Sequence, residues 1–183
     1  MRCALGWVAH TGWAAAVAVG GGSSPRLLER RRVELVEGGL GKAAVFHRGI
    51  HFDLPVAAVE RNLNAVRAEA ERSARASIRE LTAVLRKAGH DPVGCAIVGS
   101  DRPMLLDDVA AILKSHALIH AAEGDLYRQA LAAGAEAAGL RLLMVRARDL
   151  DTAGPALAAM GRDAGPPWSK DYKLGALAAL RLL

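Results

Sequence analysis

Apolar runs and turn signals follow one order along this chain: three strand-length segments, a long helical repeat, then strand, helix, strand and helix. Strands that alternate with helices must pair in parallel through right-handed crossovers, whereas three strands in succession can pair as an antiparallel meander. The order therefore predicts an α/β domain with a mixed five-stranded sheet, βββαβαβα, and helices on both faces.

The segments themselves are short and readable. Residues 3–9 and 13–19 lack polar side chains, and His10, Thr11 and Gly12 between them supply a turn, so the pair predicts a buried hairpin. Gly20, Gly21 and Gly22 ahead of Ser23, Ser24 and Pro25 mark another turn, with no Lys-Ser/Thr behind them to suggest phosphate binding. Residues 26–37 have apolar ends and an arginine-rich middle, which suits an edge strand because charge there discourages pairing with other molecules. Residues 38–54 show no regular period and read as a loop holding His47, His51 and Asp53. From Pro55 to Ala88, Val56, Val59, Leu63, Val66, Ala70, Ala74, Leu81 and Leu85 recur at helical spacing, and Gly89 ends the run. A strand over 93–99, a helical segment over 105–138 broken near Gly124, a strand over 140–145, a short helix over 156–160 and a last helix over 169–183 complete the chain.

At 183 residues and 52% hydrophobic content, the chain is long enough for one sizeable core, so a single domain over 1–183 is expected. No stretch approaches the roughly 18 uninterrupted apolar residues of a membrane span, and a cytoplasmic protein without membrane partners is expected. Cys3 and Cys95 both fall within apolar strands and read as small buried hydrophobes. A net charge of +5 favours anionic partners, nucleic acid among them, although acidic residues interleave with the arginines and a solvated mixed-charge face accounts for many of them. Ala121, Ala122, Ala130, Ala132, Ala133, Ala135, Ala137 and Ala138 would permit close packing between helices of a homodimer, or simply reflect helix propensity.

Three short motifs bring in a resemblance. Residues 5–13, Leu-Gly-Trp-Val-Ala-His-Thr-Gly-Trp, resemble the opening strand and turn of the Holliday-junction resolvase group of the ribonuclease H-like superfamily, with His10 standing where that group has an Asp. Residues 95–101 run to Ser100 and Asp101, and the family places an acidic metal ligand at about that strand end. Residues 168–179, from Trp168 through Ser169, Lys170, Asp171, Tyr172 and Lys173 into small residues, are similar to its final helix, which begins with one or two Asp ligands. The resemblance implies nuclease chemistry in which two Mg²⁺ or Mn²⁺ ions, about 4 Å apart, clamp a phosphodiester. Catalytic positions would fall on His10, Asp101 and Asp171, with Glu123 or His120 added from a neighbouring helix as a compensating group, and nucleic acid would meet Lys170, Lys173 and Trp168.

The substitutions bear on that expectation. Hard Mg²⁺ prefers oxygen ligands, so His10 removes charge and offers a softer nitrogen, while Lys170 and Lys173 oppose a dication beside Asp171. His116, His120 and Glu123 stand at i, i+4 and i+7 of a helix, and with Asp101 and Asp171 they complete the candidate metal ligands. Two imidazoles and a carboxylate suit Zn²⁺, Mn²⁺ or Fe²⁺, or acid–base work; the plainer reading is polar contacts at a helix interface. Trp168 could stack on a base, or anchor the last helix. Two functions follow: a divergent metal-dependent nuclease acting on structured nucleic acid, or a non-catalytic ribonuclease H-like module that binds nucleic acid or a protein.

Overall fold

A computed structural model describes residues 1–22, 24–100, 104–151 and 155–183. Its hairpin is formed by β1 (Arg2–His10) and β2 (Trp13–Gly20), which pair antiparallel from Cys3 opposite Gly20 to His10 opposite Trp13. Gly12 makes the turn at φ +84°, a conformation that favours glycine, and its carbonyl accepts from the amides of Leu35 and Val36. β3 (Arg26–Glu34) adds antiparallel to β2, while β4 (Asp91–Val98) and β5 (Arg141–Val145) extend the other side in parallel. The sheet order is β3-β2-β1-β4-β5, the expected mixed sheet.

Alternation along the strands divides the core in two. Leu5, Trp7, Ala16, Cys95 and Ile97 face one side and pack under two long helices, α3 (Val56–Lys87) and α5 (His116–Ala137). Ala4, Val8, Val17, Ala96 and Val98 face the other, beneath α6 (Pro155–Ala164) and α7 (Lys170–Leu180). Side chains on the second face are smaller, and α7 comes close: a Cβ built on Gly6 of β1 would lie 1.9 Å from the Gly175 carbonyl oxygen. Both thiols are buried; burial pushes Cys95 up to about 12 and Cys3 upward, so neither is a ready nucleophile.

Three expectations need correction. Residues 38–54 are not a plain loop, for they contain α1 (Leu40–Ala43) and α2 (Val45–His51), both too short to display a period. The helical segment before β5 breaks at Lys114 and Ser115 rather than near Gly124, giving α4 (Val109–Leu113) and an unbroken α5. Capping residues set those starts, with Asp108 accepting from the Ala111 amide at 3.0 Å and Ser115 from the Leu118 amide at 3.4 Å. β3 ends at Glu34, because Leu35 and Val36 turn into the core while their amides bond Gly12.

Arg30, Arg31 and Arg32 of β3 have structural partners. Arg31 points to α3, where it meets Glu80 at 2.8 Å, while Arg30 and Arg32 point to the opposite face, as the period of two requires. Arg30 donates to the carbonyls of Ala164, at the end of α6, and of Gly165, Pro166 and Pro167 in the loop before α7.

Candidate functional site

β1 and β4 run in parallel, with Val8 opposite Val98, so His10 at the end of β1 and Gly99 after β4 lie at the same end of the sheet. α7 begins over that end. Ser169 caps it by accepting from the Tyr172 amide at 3.4 Å, and the glycine contact one turn later, at Gly175, holds the helix against β1. Asp171 in its first turn thereby reaches His10, with Oδ2 3.0 Å from Nε2; the side chains are 28% and 37% exposed. His10 also stacks on Trp13, ring centroids 4.2 Å apart and planes within 10°, and the Arg32 guanidinium lies 3.8 Å from the Trp13 ring centroid on this half-buried surface. Lys170 and Lys173 flank Asp171 in sequence. The two residues furthest apart in the expected catalytic set, His10 and Asp171, are thus brought together.

Other expected residues fall elsewhere. Asp101 lies outside the described residues. His116, His120 and Glu123 are on α5, and the sheet separates that helix from α7. Among the described residues, no hydrogen bond, ion pair or ring contact joins them to His10 or Asp171. Trp168 is half-buried; its indole N–H donates to the Leu157 carbonyl at 3.3 Å, its ring abuts Gly161, and it stacks on Tyr172, so it ties α6 to α7.

On the α5 side a second group forms, which adds His47 from the segment that reads in sequence as a loop. Glu123 is buried, 3% exposed, and its Oε1 accepts from the amides of Phe46 at 2.7 Å and His47 at 3.1 Å at the start of α2. His47 Nδ1 lies 3.4 Å from the same oxygen. Burial pushes the Glu123 carboxyl above its ordinary range, against the opposing pull of these hydrogen bonds. Oε2 is buried without a hydrogen-bond partner among the described residues. The His47 ring is 4.7 Å from that of His120 and 6.0 Å from that of His116, centroid to centroid, and His116 and His120 bring their Nε2 atoms within 2.9 Å. The four-residue spacing of His116 and His120 was the legible signal; His47 sits in a segment without periodicity.

Asp125 and Arg128 were also missed. Asp125 is buried, takes the Arg128 Nε at 2.7 Å and accepts from the Met104 amide at 2.5 Å. Arg128 occupies the space that Cβ atoms on Gly99 and Gly124 would need, so a guanidinium stands against the end of β4.

These residues do not fit two hard divalent ions. A two-ion clamp needs several carboxylates to offset four positive charges. Beside His10 the described residues offer Asp171, already paired to an imidazole and flanked by two lysines. Among the described residues, no group of three or more His, Cys, Asp and Glu side chains stands arranged to hold a metal ion.

The strand order, the long helix after the third strand and the helix crossing β1 make this the ribonuclease H-like fold. Among solved structures, the chain is similar to "T. thermophilus RuvC in complex with Holliday junction substrate", with a TM-score of 0.54 over 98% of this chain and 91% of that one, at 13% identity. A second, "Thermus thermophilus RuvC structure", aligns with a TM-score of 0.48 over 97% and 91%, also at 13% identity. No family profile and no curated protein matches the sequence. No helix among the described residues is long and apolar enough to cross a membrane.

Proposed function

We propose that this chain is a ribonuclease H-like module that binds nucleic acid through the sheet end around His10 and Asp171, without two-metal cleavage at that site. The observation behind this is the His10–Asp171 pair. It uses the one described carboxylate there on an imidazole, next to Lys170 and Lys173 and with Arg32 close by. A surface of this kind attracts a phosphate backbone by the same charge balance that repels a pair of dications. The net charge of +5 acts in the same sense, and the structural neighbour of the same fold was solved with a Holliday junction substrate.

The second reading is a divergent nuclease that uses Mg²⁺ or Mn²⁺ with His10, Asp101 and Asp171. It is favoured by the convergence of His10 and Asp171 at the end of β1. One experiment separates the two. Labelled single strands, duplexes, RNA–DNA hybrids and four-way junctions are titrated with protein at several salt concentrations, then incubated with Mg²⁺ or Mn²⁺. The module reading expects binding that weakens with salt, weakens further in a Lys170→Glu/Lys173→Glu double variant, and leaves every substrate intact. Metal-dependent products that disappear with EDTA and in Asp101→Ala would establish the nuclease instead. Folded protein that binds none of the substrates would end both readings.

A further inference from the structure

We infer that the groove between α3 and the end of α5, walled by Arg72, Arg75, Arg79 and Arg86, binds a small polyphosphate anion, either free or carried by a nucleotide. The groove lies on the opposite face of the sheet from α7 and Asp171, and the inference does not rest on the nucleic-acid reading.

The wall follows from helical spacing. Arg72, Arg79 and Arg86 stand seven residues apart, close to two full turns, so they form one row along α3 with about 10 Å between neighbours. Arg75 fills the turn between the first two. Thr82 holds the corresponding place between Arg79 and Arg86, but it is buried and its hydroxyl donates to the Ile78 carbonyl at 2.6 Å. Across from the row, Gly134 brings α5 against α3, for a Cβ there would lie 3.2 Å from the Arg75 amide nitrogen. Ala76, Ala137 and Ala138 add only methyl groups to the lining. The cavity that remains is about 380 Å³, within the roughly 300–1,000 Å³ of small-molecule sites.

These guanidinium groups lack an anion of their own. Among the described residues no carboxylate lines the groove, and none of the four arginines forms an ion pair or hydrogen bond with one. Two carboxylates of α3 are engaged elsewhere, Glu69 with Lys42 at 2.6 Å and Glu80 with Arg31 at 2.8 Å. The Glu69 carboxyl is held below its ordinary range by Lys42 first, and Arg72 adds the least. Nor are the arginines spent on the end of α5, where the carbonyls of Gly134, Ala135 and Glu136 accept from the amides of Ala138, Leu140 and Gly139. Cations one turn apart on a helix oppose its formation, and a bound polyanion relieves that repulsion. A guanidinium meets phosphate oxygens through two parallel N–H donors and keeps its charge at physiological pH. Toward the start of α3 the next arginine in the row, Arg67, already meets Asp107 at 3.7 Å, so the uncompensated charge stops with the groove. A short anion matches a patch bounded in this way, whereas a nucleic-acid backbone is met by charge that continues along its path. The alanine methyls give a base an apolar surface to rest on.

The test uses the full chain. Tripolyphosphate and ATP, both without Mg²⁺, are titrated calorimetrically at two salt concentrations, with inorganic phosphate for comparison. The expected result is one polyphosphate per chain, bound roughly tenfold or more tightly than inorganic phosphate, weakened by salt, and weakened roughly tenfold or more in Arg75→Gln/Arg79→Gln. Arg148→Gln/Arg162→Gln removes the same charge from exposed positions on other elements and should leave binding unchanged. Circular dichroism checks that each variant is folded. ATP binding more tightly than tripolyphosphate supports a nucleotide as the occupant, and equal affinity supports a free polyphosphate. No uptake by the parent chain at low salt overturns the site. Uptake that survives Arg75→Gln/Arg79→Gln, or that falls equally in Arg148→Gln/Arg162→Gln, also overturns it, because general surface charge would then account for the anion. A labelled single strand that displaces tripolyphosphate from the parent and binds the Arg75→Gln/Arg79→Gln variant poorly would give the groove to nucleic acid and overturn the small-anion reading.

Discussion

Among the described residues histidine pairs with carboxylate twice, on opposite faces of one sheet, and the two pairs are built in different ways. At the sheet end, His10 and Asp171 are both part-exposed, and stacking on Trp13 holds the histidine. Beneath α2, Glu123 is buried and serves two backbone amides as well as His47. Position explains the difference. The first pair is set by how closely α7 lies on β1, the second by a carboxylate that α2 needs for its own first turn. Water bears part of the first pair's charge, whereas in the second the protein must bear nearly all of it.

The contrast can be broken most forcefully at Gly6. A methyl group there collides with the Gly175 carbonyl, so Gly6→Ala should lower stability in urea by about 3 kcal/mol, as severe overpacking does. Amide exchange should rise in α7 and stay slow in α5. An unaltered urea midpoint would mean that the glycine contact does not seat the helix that delivers Asp171.

Next in size is the removal of Glu123. Glu123→Ala strands the buried Phe46 amide and its neighbour at His47, and should cost about 2 kcal/mol, with α2 losing protection first. If α2 keeps its protection, the carboxylate is not what organises that helix.

A pH series sharpens the same point. The folded-state pKa of Glu123 is raised above its ordinary value of 4.5, so the protonated form is the one folding prefers. Its contribution to stability is complete below about pH 4.5 and is lost as pH rises through the folded value. Subtracting the curve for Glu123→Gln should isolate a component that falls with rising pH. A difference that grows with pH would reverse the assignment.

The smallest effect belongs to the other pair. Asp171→Asn should change stability by less than about 1 kcal/mol, since water screens a part-exposed ion pair. A larger loss by thermal melting would show that His10 and Asp171 behave as a buried pair.

Much of the architecture was legible because each long element carries its own period: Val59, Leu63, Val66, Ala70 and Ala74 announce α3, and the polar-free runs announce the hairpin. His10 and Asp171, 161 residues apart, were legible as neighbours only through the resemblance of their two motifs to one fold. The group around Glu123 was half legible. The spacing of His116 and His120 lies within one helix, but α2 is seven residues long and leaves no pattern that would point His47 toward it. Gly124 looked like a break because glycine is a poor helix former, yet in α5 it clears room for the Arg128 guanidinium. Arg30 read as edge-strand charge because its partners are carbonyls 134 to 137 residues onward, which no local pattern encodes.

That last side chain bears on how the protein comes apart. One guanidinium fastens the third strand to the turn that launches the final helix, so residues 134 to 137 positions apart hold each other in place. Loosening that turn removes one support of β3, which its pairing with β2 and the Arg31–Glu80 contact continue to hold. Amide exchange in β3 should therefore rise when that turn opens, by less than it rises in the turn itself.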